Sequence, residues 1–382
     1  MITILRNPSG TPSIQDNLWH VVTSDNSGQT GFKYVFDIFK GAQQLIRVKQ
    51  FPEPGTGRGY FDAGPIIRNE ITYAWFTPGD TVYLKQPSQS GEIAQGYTIK
   101  VGEDFSGITT TNLASANVSA YNWRPPVFGR RVSDLSSRLN GYMSSRPRSL
   151  RASLTDNVMI GVYTNATLTL KVDTYDYGSQ LIASSVDVSG YANSGFVQCN
   201  IGATAINNRF GTAIIGANVR FYDVWFNSFD KIRVHIECNG KYEPISLHFL
   251  NRWGMFDSAK FGLVSRLNMN AERKEFKQRD YRFTADNVTY YDANNVYHDS
   301  NVNYLNQFDH TYKLTMDAPT DAEYEWLADL VVSPQVYAEI NGAYYPVSVR
   351  TNSYEYSKYV NNRLRALEIE IDVNQSRQSH LR

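Results

Sequence analysis

A repeated segment that predicts a β-hairpin limits the possible folds of this chain more than any other feature of its sequence. Residues 237–247 align without gaps on residues 339–349, and the two copies share Glu, Asn, Gly, Tyr, Pro and Ser at matching places. In each copy, Asn-Gly supplies the two positive-φ positions of a type I′ turn. Pro244 and Pro346 match as well, and each requires an edge or a bulge because proline has no N–H to donate. We interpret the repeat as a duplicated hairpin rather than convergence on a common turn, which points to construction rather than catalysis.

The rest of the chain also favours strands. Short apolar and aromatic runs alternate with Gly, Pro and Asn, and no stretch of residues 18–127 keeps a helical period. Strands are predicted over residues 19–23, 32–39, 45–50, 71–76, 81–85, 97–101, 158–162, 166–173, 181–188, 219–226, 231–238 and 242–249. This regular spacing is typical of a β-sandwich or barrel-like domain.

A single short helix is predicted in the C-terminal region. Thr320 and Glu323 form a capping box, in which each side chain satisfies a free backbone N–H of the first turn. The helix should cover residues 321–330 and stop before Pro334. Strands are predicted over residues 336–340 and 367–373, the latter alternating apolar and acidic side chains.

An arginine-rich segment separates two β-rich parts of the chain. Residues 124–156 contain seven Arg, two Asp, several Pro and Ser, and few large apolar residues. We expect an extended linker or arm, with a short helix near residues 132–139. The predicted organisation is therefore an N-terminal β domain (1–123), the arm (124–156) and a C-terminal β-rich region (157–382). The arm residues expected to contact carboxylates or phosphate are Arg130, Arg131, Arg146 and Arg148.

Composition restricts the classes of partner. The 37 Lys and Arg balance the 37 Asp and Glu, which argues against binding nucleic acid over the whole surface but leaves local contact by the arm open. No apolar run approaches the roughly 18 residues that cross a bilayer, so no membrane contact is expected. The start of the chain lacks the pattern of a secretory signal, which predicts folding in a cytoplasm.

Cys199 and Cys238 are expected to be reduced core residues.

None of the motifs supports catalysis or a cofactor. The six His show no metal-ligand spacing, and His235 and His248 are expected to be ordinary sheet residues. The loop Gly55–Gly59 lacks the Gly-Lys-Ser/Thr ending of a phosphate loop. No Gly-x-Ser-x-Gly elbow is present, and a carboxylate pair such as Glu103 and Asp104 is weak support for a glycosidase. We therefore predict no enzyme activity, no cofactor and no metal.

Aromatic residues make up 13% of the chain. Neighbouring rings in a strand point to opposite faces, so paired aromatics send one ring outward or against a second layer. Such clusters are either platforms that stack on sugars or contacts between subunits, and we favour subunit contacts because aromatic residues are enriched there. The aromatic residues expected at an assembly interface are Tyr60, Phe61, Tyr344 and Tyr345.

Three blocks of the sequence resemble a known class of proteins. They are residues 247–257 (LHFLNRWGMFD) with Phe261, residues 320–337 (TDAEYEWLADLVVSPQVY), and the stretch from FKYVFD (32–37) through GTGRGYFD (55–62). These blocks are similar to segments of virion structural proteins, tail-hub or distal-tail-like, of tailed phages that infect Bacteroidetes, including crAss-like phages. The resemblance implies a β-rich ring subunit that joins a tail tube or portal-side adaptor to fibres or neighbouring rings, with no active-site residues.

Together, the residues and the resemblance predict a mainly β protein with sandwich-like or barrel-like domains, one short α-helix and an arginine-rich arm. Its expected partners are copies of itself in a ring, other tail or portal-side proteins, and tail fibres. The expected location is the virion tail, assembled in the host cytoplasm. The alternatives are a capsid decoration or head-fibre protein, and a carbohydrate-binding module of a receptor-binding protein.

Overall fold

The computed structural model describes residues 1–72, 84–85, 94–124, 141–191, 195–238, 244–263, 265–316, 320–351, 366–373 and 377–378. The chain is mainly β, with 55% strand and 8% helix, as the sequence predicted. It divides into two compact units, which are described separately. Unit 1 contains residues 1–238, 248–259 and 325–334, and unit 2 contains residues 239–247, 260–324 and 335–382.

The elements are numbered in chain order. The strands β1 to β26 are Ile2–Arg6, Trp19–Ser24, Lys33–Lys40, Gln43–Gln50, Gly59–Asp62, Leu84–Lys85, Ala94–Phe105, Ile108–Tyr121, Gly141–Tyr142, Ser149–Ala152, Met159–Thr164, Leu168–Tyr175, Leu181–Tyr191, Gly195–Asn200, Phe221–Phe226, Ile232–Ile236, Ile245–Leu250, Phe256–Phe261, Ser265–Lys277, Arg282–Thr284, Asn287–Thr289, Asn301–Met316, Val336–Ile340, Ala343–Val349, Leu367–Val373 and Arg377–Gln378. The helices α1 to α3 are Gly64–Arg68, Ala203–Phe210 and Asp321–Val331.

The first core of unit 1 joins a three-stranded sheet of order β1-β2-β5 to a four-stranded sheet of order β4-β3-β7-β8. Strand β3 contributes the buried rings of Tyr34 and Phe36. On its other face, Asp37 lies directly opposite Arg47 of β4 and accepts two hydrogen bonds from its guanidinium, at 2.6 and 2.9 Å. This bidentate pair of hydrogen bonds between Asp37 and Arg47 fixes the register of β3 against β4.

The second core of unit 1 joins two further sheets, of order β10-β16-β15-β12-β13 and β6-β14-β11-β9. Strand β16 shows the predicted alternation, since Ile232 and Val234 are buried and Arg233 between them is exposed. Arg233 donates to both carboxyl oxygens of Asp223, its direct neighbour on β15, at 2.7 and 2.9 Å. The described sheets all stay open, without closing on themselves.

The prediction of a single helix in the C-terminal region is wrong, because the described residues of that region contain two, α2 and α3, and α1 lies in the N-terminal part. Helix α3 is the predicted one, and its capping box is present: Glu323 Oε2 accepts from the Thr320 backbone N–H at 2.7 Å. Helix α2 was missed because its sequence, ATAINNRF, contains Thr and two Asn, which favour caps and turns over helix interiors. It is stabilised by burying one face in the second core, and it ends at Gly211, whose φ of +65° is left-handed.

In unit 2, five strands pair antiparallel in the order β23-β24-β25-β22-β19, and β26 also pairs with β22. The predicted hairpin of the second repeat copy is confirmed. Asn341 and Gly342, with φ of +52° and +72°, connect β23 to β24. Pro346 immediately precedes Val347, at which β24 begins to pair with β25. The turn of the first copy, Asn239-Gly240, lies outside the described residues.

Part of the predicted arm can be located. Residues 125–140, including the helix expected near 132–139, lie outside the described residues. Residues 141–156 include β9 and β10, and their side chains Tyr142, Met143, Leu150 and Ala152 are buried in the cores of unit 1.

The two cysteines differ in their environments. Cys199 is buried, as predicted, whereas Cys238 is exposed, so the prediction that both are core residues is wrong for the second. Cys238 lies two residues beyond the end of β16, so it is no longer part of the face by which that strand packs on the core. Among the described helices, none is long and apolar enough to span a bilayer.

Candidate interaction surface

The most unusual surface of unit 2 is a long β-hairpin, here called the ribbon, formed by β19, β22 and residues 278–300 between them. β19 pairs with β22 along its whole length, from Ser265 opposite Leu314 to Lys277 opposite Asn301. β25 covers only residues 311–316 of β22, so most of β19 extends beyond it. All residues of β19 are exposed.

One face of the ribbon is apolar. In β19, Leu267, Met269 and Ala271 point to the same side because strand side chains alternate. The residues of β22 directly opposite them are Tyr312, His310 and Phe308, and directly opposite residues share a face. Leu267 is 53% exposed and Met269 is 64% exposed. Strict alternation is the pattern of a strand with one buried face, yet here Leu267 and Met269 of β19 are exposed, while Tyr312, His310 and Phe308 of β22 are half-buried.

The outer edge of β19 is also open. β19 is the last strand in its sheet, so one row of its backbone N–H and C=O groups has no strand partner in the described part of the chain. Such an edge can accept a further strand. Its far half carries Glu272, Arg273, Lys274 and Glu275, and charges of this kind protect an edge from indiscriminate pairing.

The tip of the ribbon carries exposed aromatic rings. Strands β20 and β21 form a small hairpin within residues 278–300. Around it, Phe283, Tyr290, Tyr291 and Tyr297 are all exposed. Tyr291 and Tyr297 contact each other with ring centroids 5.4 Å apart. These rings therefore lie on a solvent-facing surface.

The predicted aromatic residues lie in two different units. In β5 of unit 1, Phe61 is buried and stacks on Phe36 with ring centroids 4.9 Å apart, while Tyr60 is half-buried. In β24 of unit 2, Tyr344 and Tyr345 are half-buried, and the Tyr344 hydroxyl donates to Glu339 at 3.1 Å. Phe61 thus belongs to the first core, and the other three rings are partly accessible.

The predicted arginines that the structure describes pack against rings of their own unit. The Arg148 guanidinium lies 4.3 Å from the centroid of Tyr142, and that of Arg146 lies 4.8 Å from the centroid of Trp326. Both arginines are half-buried. Arg130 and Arg131 lie outside the described residues.

A buried carboxyl group lies close to Arg146. Asp257 Oδ2 accepts hydrogen bonds from Ser144 Oγ at 2.7 Å and from Trp326 Nε1 at 2.8 Å. Burial raises the pKa of Asp257 to about 6, although these bonds and the Arg146 charge favour the ionised form. Through these hydrogen bonds, Asp257 connects helix α3 to the turn after β9. Its carboxyl group is enclosed by the protein rather than exposed to a ligand.

The described residues contain no group of three or more His, Cys, Asp or Glu placed to hold a metal. His248 is buried and its Nδ1 lies 2.8 Å from Ser258 Oγ, which is the environment of a structural residue. The carboxylate pair considered above is engaged on both sides: Glu103 accepts from Ser24 and Asn26, and Asp104 pairs with Lys49.

The ribbon was missed by sequence reasoning, although a signal for it was present. Residues 266–271 read Arg-Leu-Asn-Met-Asn-Ala, an alternation of polar and apolar residues that predicts a strand. No protein-family model matches the chain, and no curated protein matches it significantly.

Proposed function

We propose that this chain is a structural subunit that assembles with copies of itself through the apolar face of the ribbon, and that the assembly is a ring in the tail of a phage particle. The observation that supports assembly is the exposed apolar surface of Leu267 and Met269, which continues onto the half-buried rings of Tyr312 and Phe308 on β22. Contiguous apolar surface of this kind marks interaction sites on soluble proteins.

A closed ring suits this surface. An open sheet edge next to an apolar face promotes uncontrolled association unless the geometry of assembly closes. In a ring, each copy covers the exposed face of the next, and no open edge is left. The mixed charges at residues 272–275 would then select the register of the contact, because like charges directly opposite each other are unfavourable.

The tail location rests on the resemblance of residues 32–62, 247–261 and 320–337 to tail-hub and distal-tail-like proteins of phages of Bacteroidetes. In this proposal, sandwich-like β layers in unit 1 form the body of the subunit. Neighbouring rings, portal-side proteins and tail fibres are the other partners. Arg130 and Arg131, with the rings of Tyr60, Tyr344 and Tyr345, are further proposed contacts.

A second function is favoured by one specific observation, the exposed aromatic rings at the ribbon tip. Rings that face solvent can stack on sugars, as expected of a carbohydrate-binding module on a receptor-binding protein. This function predicts saturable binding to host polysaccharide that is lost when Tyr297 is replaced by Ala. A ring subunit predicts multimers that are insensitive to sugar.

The test compares two pairs of substitutions on opposite faces of the same strand. Leu267→Thr with Met269→Thr removes apolar surface but keeps a side chain that favours strands. Arg266→Thr with Asn268→Thr makes the same change on the polar face and is the matched control. Mass photometry and electron microscopy of the wild type should show discrete multimers, which the first pair dissociates and the control pair retains.

Two results would contradict the proposal. One is a wild-type chain that stays monomeric at its highest soluble concentration. The other is equal behaviour of the two pairs, which would show that the apolar face makes no contact. A reconstruction of the particle with this chain located in it tests the tail position separately.

A further inference from the structure

Unit 1 contains an open cleft with a volume of about 180 Å³, separate from the ribbon. This volume is below the roughly 300 to 1,000 Å³ of typical small-molecule sites, so the cleft fits a single chemical group better than a whole cofactor. Four segments line it: Gln15, the residues that follow β8, the end of β17 with the turn to β18, and the end of α3 with the residues after it. The residues used below are Arg124, Leu250, Arg252, Asp329, Val332 and Pro334.

Two guanidinium groups in the cleft share one carboxylate. Asp329 of α3 is buried, and its two oxygens accept hydrogen bonds from Arg252 Nε at 3.0 and 2.9 Å. Arg124 Nη2 donates to Asp329 Oδ1 at 2.8 Å. With two positive charges and one negative charge, this cluster carries a net charge of about +1.

Each guanidinium group donates to Asp329 through only one of its nitrogens, and the Arg252 backbone N–H donates to the same carboxylate at 3.4 Å. Across the ranges that the structure describes, the Nη1 and Nη2 groups of Arg252 and the Nε and Nη1 groups of Arg124 donate to no protein acceptor. The Arg124 side chain is 43% exposed and the Arg252 side chain is 26% exposed. Nη1 and Nη2 of Arg252 lie on one edge of the guanidinium, and the two parallel N–H groups of such an edge match the geometry of a carboxylate, while Nε and Nη1 of Arg124 lie on different edges and donate separately.

Hydrogen bonds and a ring contact hold the walls of the cleft together, which lowers the entropic cost of binding. The Arg124 backbone N–H donates to the Arg252 carbonyl at 2.7 Å, which connects two of the four segments. Within the turn, Asn251 Oδ1 accepts from the backbone of Trp253 and of Met255, at 2.9 and 3.2 Å. Trp253 in turn stacks on Trp123, with ring centroids 5.8 Å apart.

We infer that this cleft binds a carboxylate group, held by the remaining N–H groups of Arg124 and Arg252. The apolar part of the ligand would pack against Leu250, Val332 and Pro334. The positive net charge selects an anion over a neutral group, and the guanidinium edges select a planar oxyanion. The carboxylate can come from a small acid or from an acidic segment of a protein, and the experiment separates these two sources.

The experiment uses the full-length chain and measures tryptophan fluorescence and calorimetric heat with three probes. The probes are acetate, a short polyglutamate peptide with blocked ends, and the corresponding polyglutamine peptide. We expect saturable binding of polyglutamate and at least about tenfold weaker binding of polyglutamine, since only the former supplies charge-assisted hydrogen bonds. If acetate binds as tightly as polyglutamate and competes with it, the ligand is a small acid. If polyglutamate binds more tightly, the ligand is a protein segment.

Three variants keep the test decisive. Arg124→Gln removes a partly exposed guanidinium and should weaken polyglutamate binding about tenfold, whereas Arg124→Lys keeps the charge but not the planar edge and should be intermediate. Arg220→Gln replaces an exposed arginine elsewhere in unit 1 and should bind as the wild type does. Absence of binding by both acidic probes to folded wild-type protein, or unchanged binding by a folded Arg124→Gln variant, would overturn the inference.

Discussion

The indole Nε1 of Trp326 donates a hydrogen bond of 2.8 Å to the carboxyl group of Asp257, and 69 positions of sequence separate the two residues. The same oxygen accepts from Ser144 Oγ, so one buried carboxyl group connects three distant segments of unit 1. Such a network is costly unless every member has a partner, which makes Asp257 a sensitive point in the stability of this unit.

The free energy of unfolding should depend on pH through Asp257. Its pKa is about 6 in the folded chain and near 4 in the unfolded chain, so the folded state binds the proton more tightly. Stability therefore falls as pH rises from about 4 to 6, by about 3 kcal/mol from this group. In Asp257→Asn this contribution is absent, and the unfolding free energy of the variant should increase relative to wild type by that amount over the same range. Urea unfolding at several pH values measures it, and a constant difference would contradict the prediction.

His20 should act in the opposite direction. It is fully buried, with Nδ1 at 2.8 Å from Asn7 Oδ1 and Nε2 at 3.0 Å from the Tyr97 hydroxyl. Burial lowers the pKa of His20 to about 4, so the unfolded chain binds the proton more tightly and stability falls as pH drops from about 6.5 to 4. The imidazole should therefore remain neutral at pH 5.5 in nitrogen NMR spectra, with His20→Gln identifying its signals. A charged ring at that pH would refute this.

The contributions of His20 and Asp257 oppose each other between about pH 4 and 6. Each is worth about 3 kcal/mol over its range, so the wild type should show little net dependence from this pair. The single variants should reveal the two slopes separately.

Gly254 should tolerate no side chain. Its φ is +77°, and a Cβ atom there would lie 2.3 Å from the Asn122 carbonyl oxygen. Gly211 has a similar φ of +65° but open space around it, so it is a matched control for backbone strain alone. Gly211→Ala should cost about 1 kcal/mol, and Gly254→Ala about 2 kcal/mol more because of the collision. Equal melting temperatures for the two variants would show that the turn relaxes freely.

The capping box of α3 should contribute measurably to stability. Thr320 Oγ1 accepts from the Glu323 N–H at 3.3 Å, and Glu323 reaches back to the Thr320 N–H. Thr320→Ala removes one of these two bonds and should cost about 1 kcal/mol in unfolding free energy. Thr320→Ser keeps the hydroxyl and should restore most of the loss. If Ser is as destabilising as Ala, the hydroxyl is not the group that matters.

Local chemistry explains which elements were predictable. Strands β23 and β25 and the start of α3 were predicted at their observed positions, because an Asn-Gly turn, strict alternation and a capping box each act within a few residues. Helix α2 was missed because its stability depends on burying Ala203, Ala205 and Ile206 in a core built by distant strands.

The interaction surface was predictable only in part. The alternation of residues 266–271 indicates a strand with an apolar face, but a sequence pattern does not show whether another layer of the same chain covers that face. Among the predicted contacts, Phe61 lies in a core, and Arg146 and Arg148 stack on rings of unit 1. The number of charged and aromatic residues in a sequence segment does not show which residues will pack against them in the folded chain.

The sequence by itself determined a mainly β chain through its short apolar and aromatic runs and turn residues, and it determined the second Asn-Gly hairpin and the capped helix α3 through hydrogen bonds between near neighbours. Only the tertiary structure decided that Leu267 and Met269 stay exposed, that Asp257 meets Trp326, and that Arg124 and Arg252 converge on Asp329. The last two arrangements join residues far apart in the chain, and their energies come from burial and charge pairing, which exist only after the strands have packed. The exposure of Leu267 and Met269 depends in the same way on which layers the folded chain places over that face.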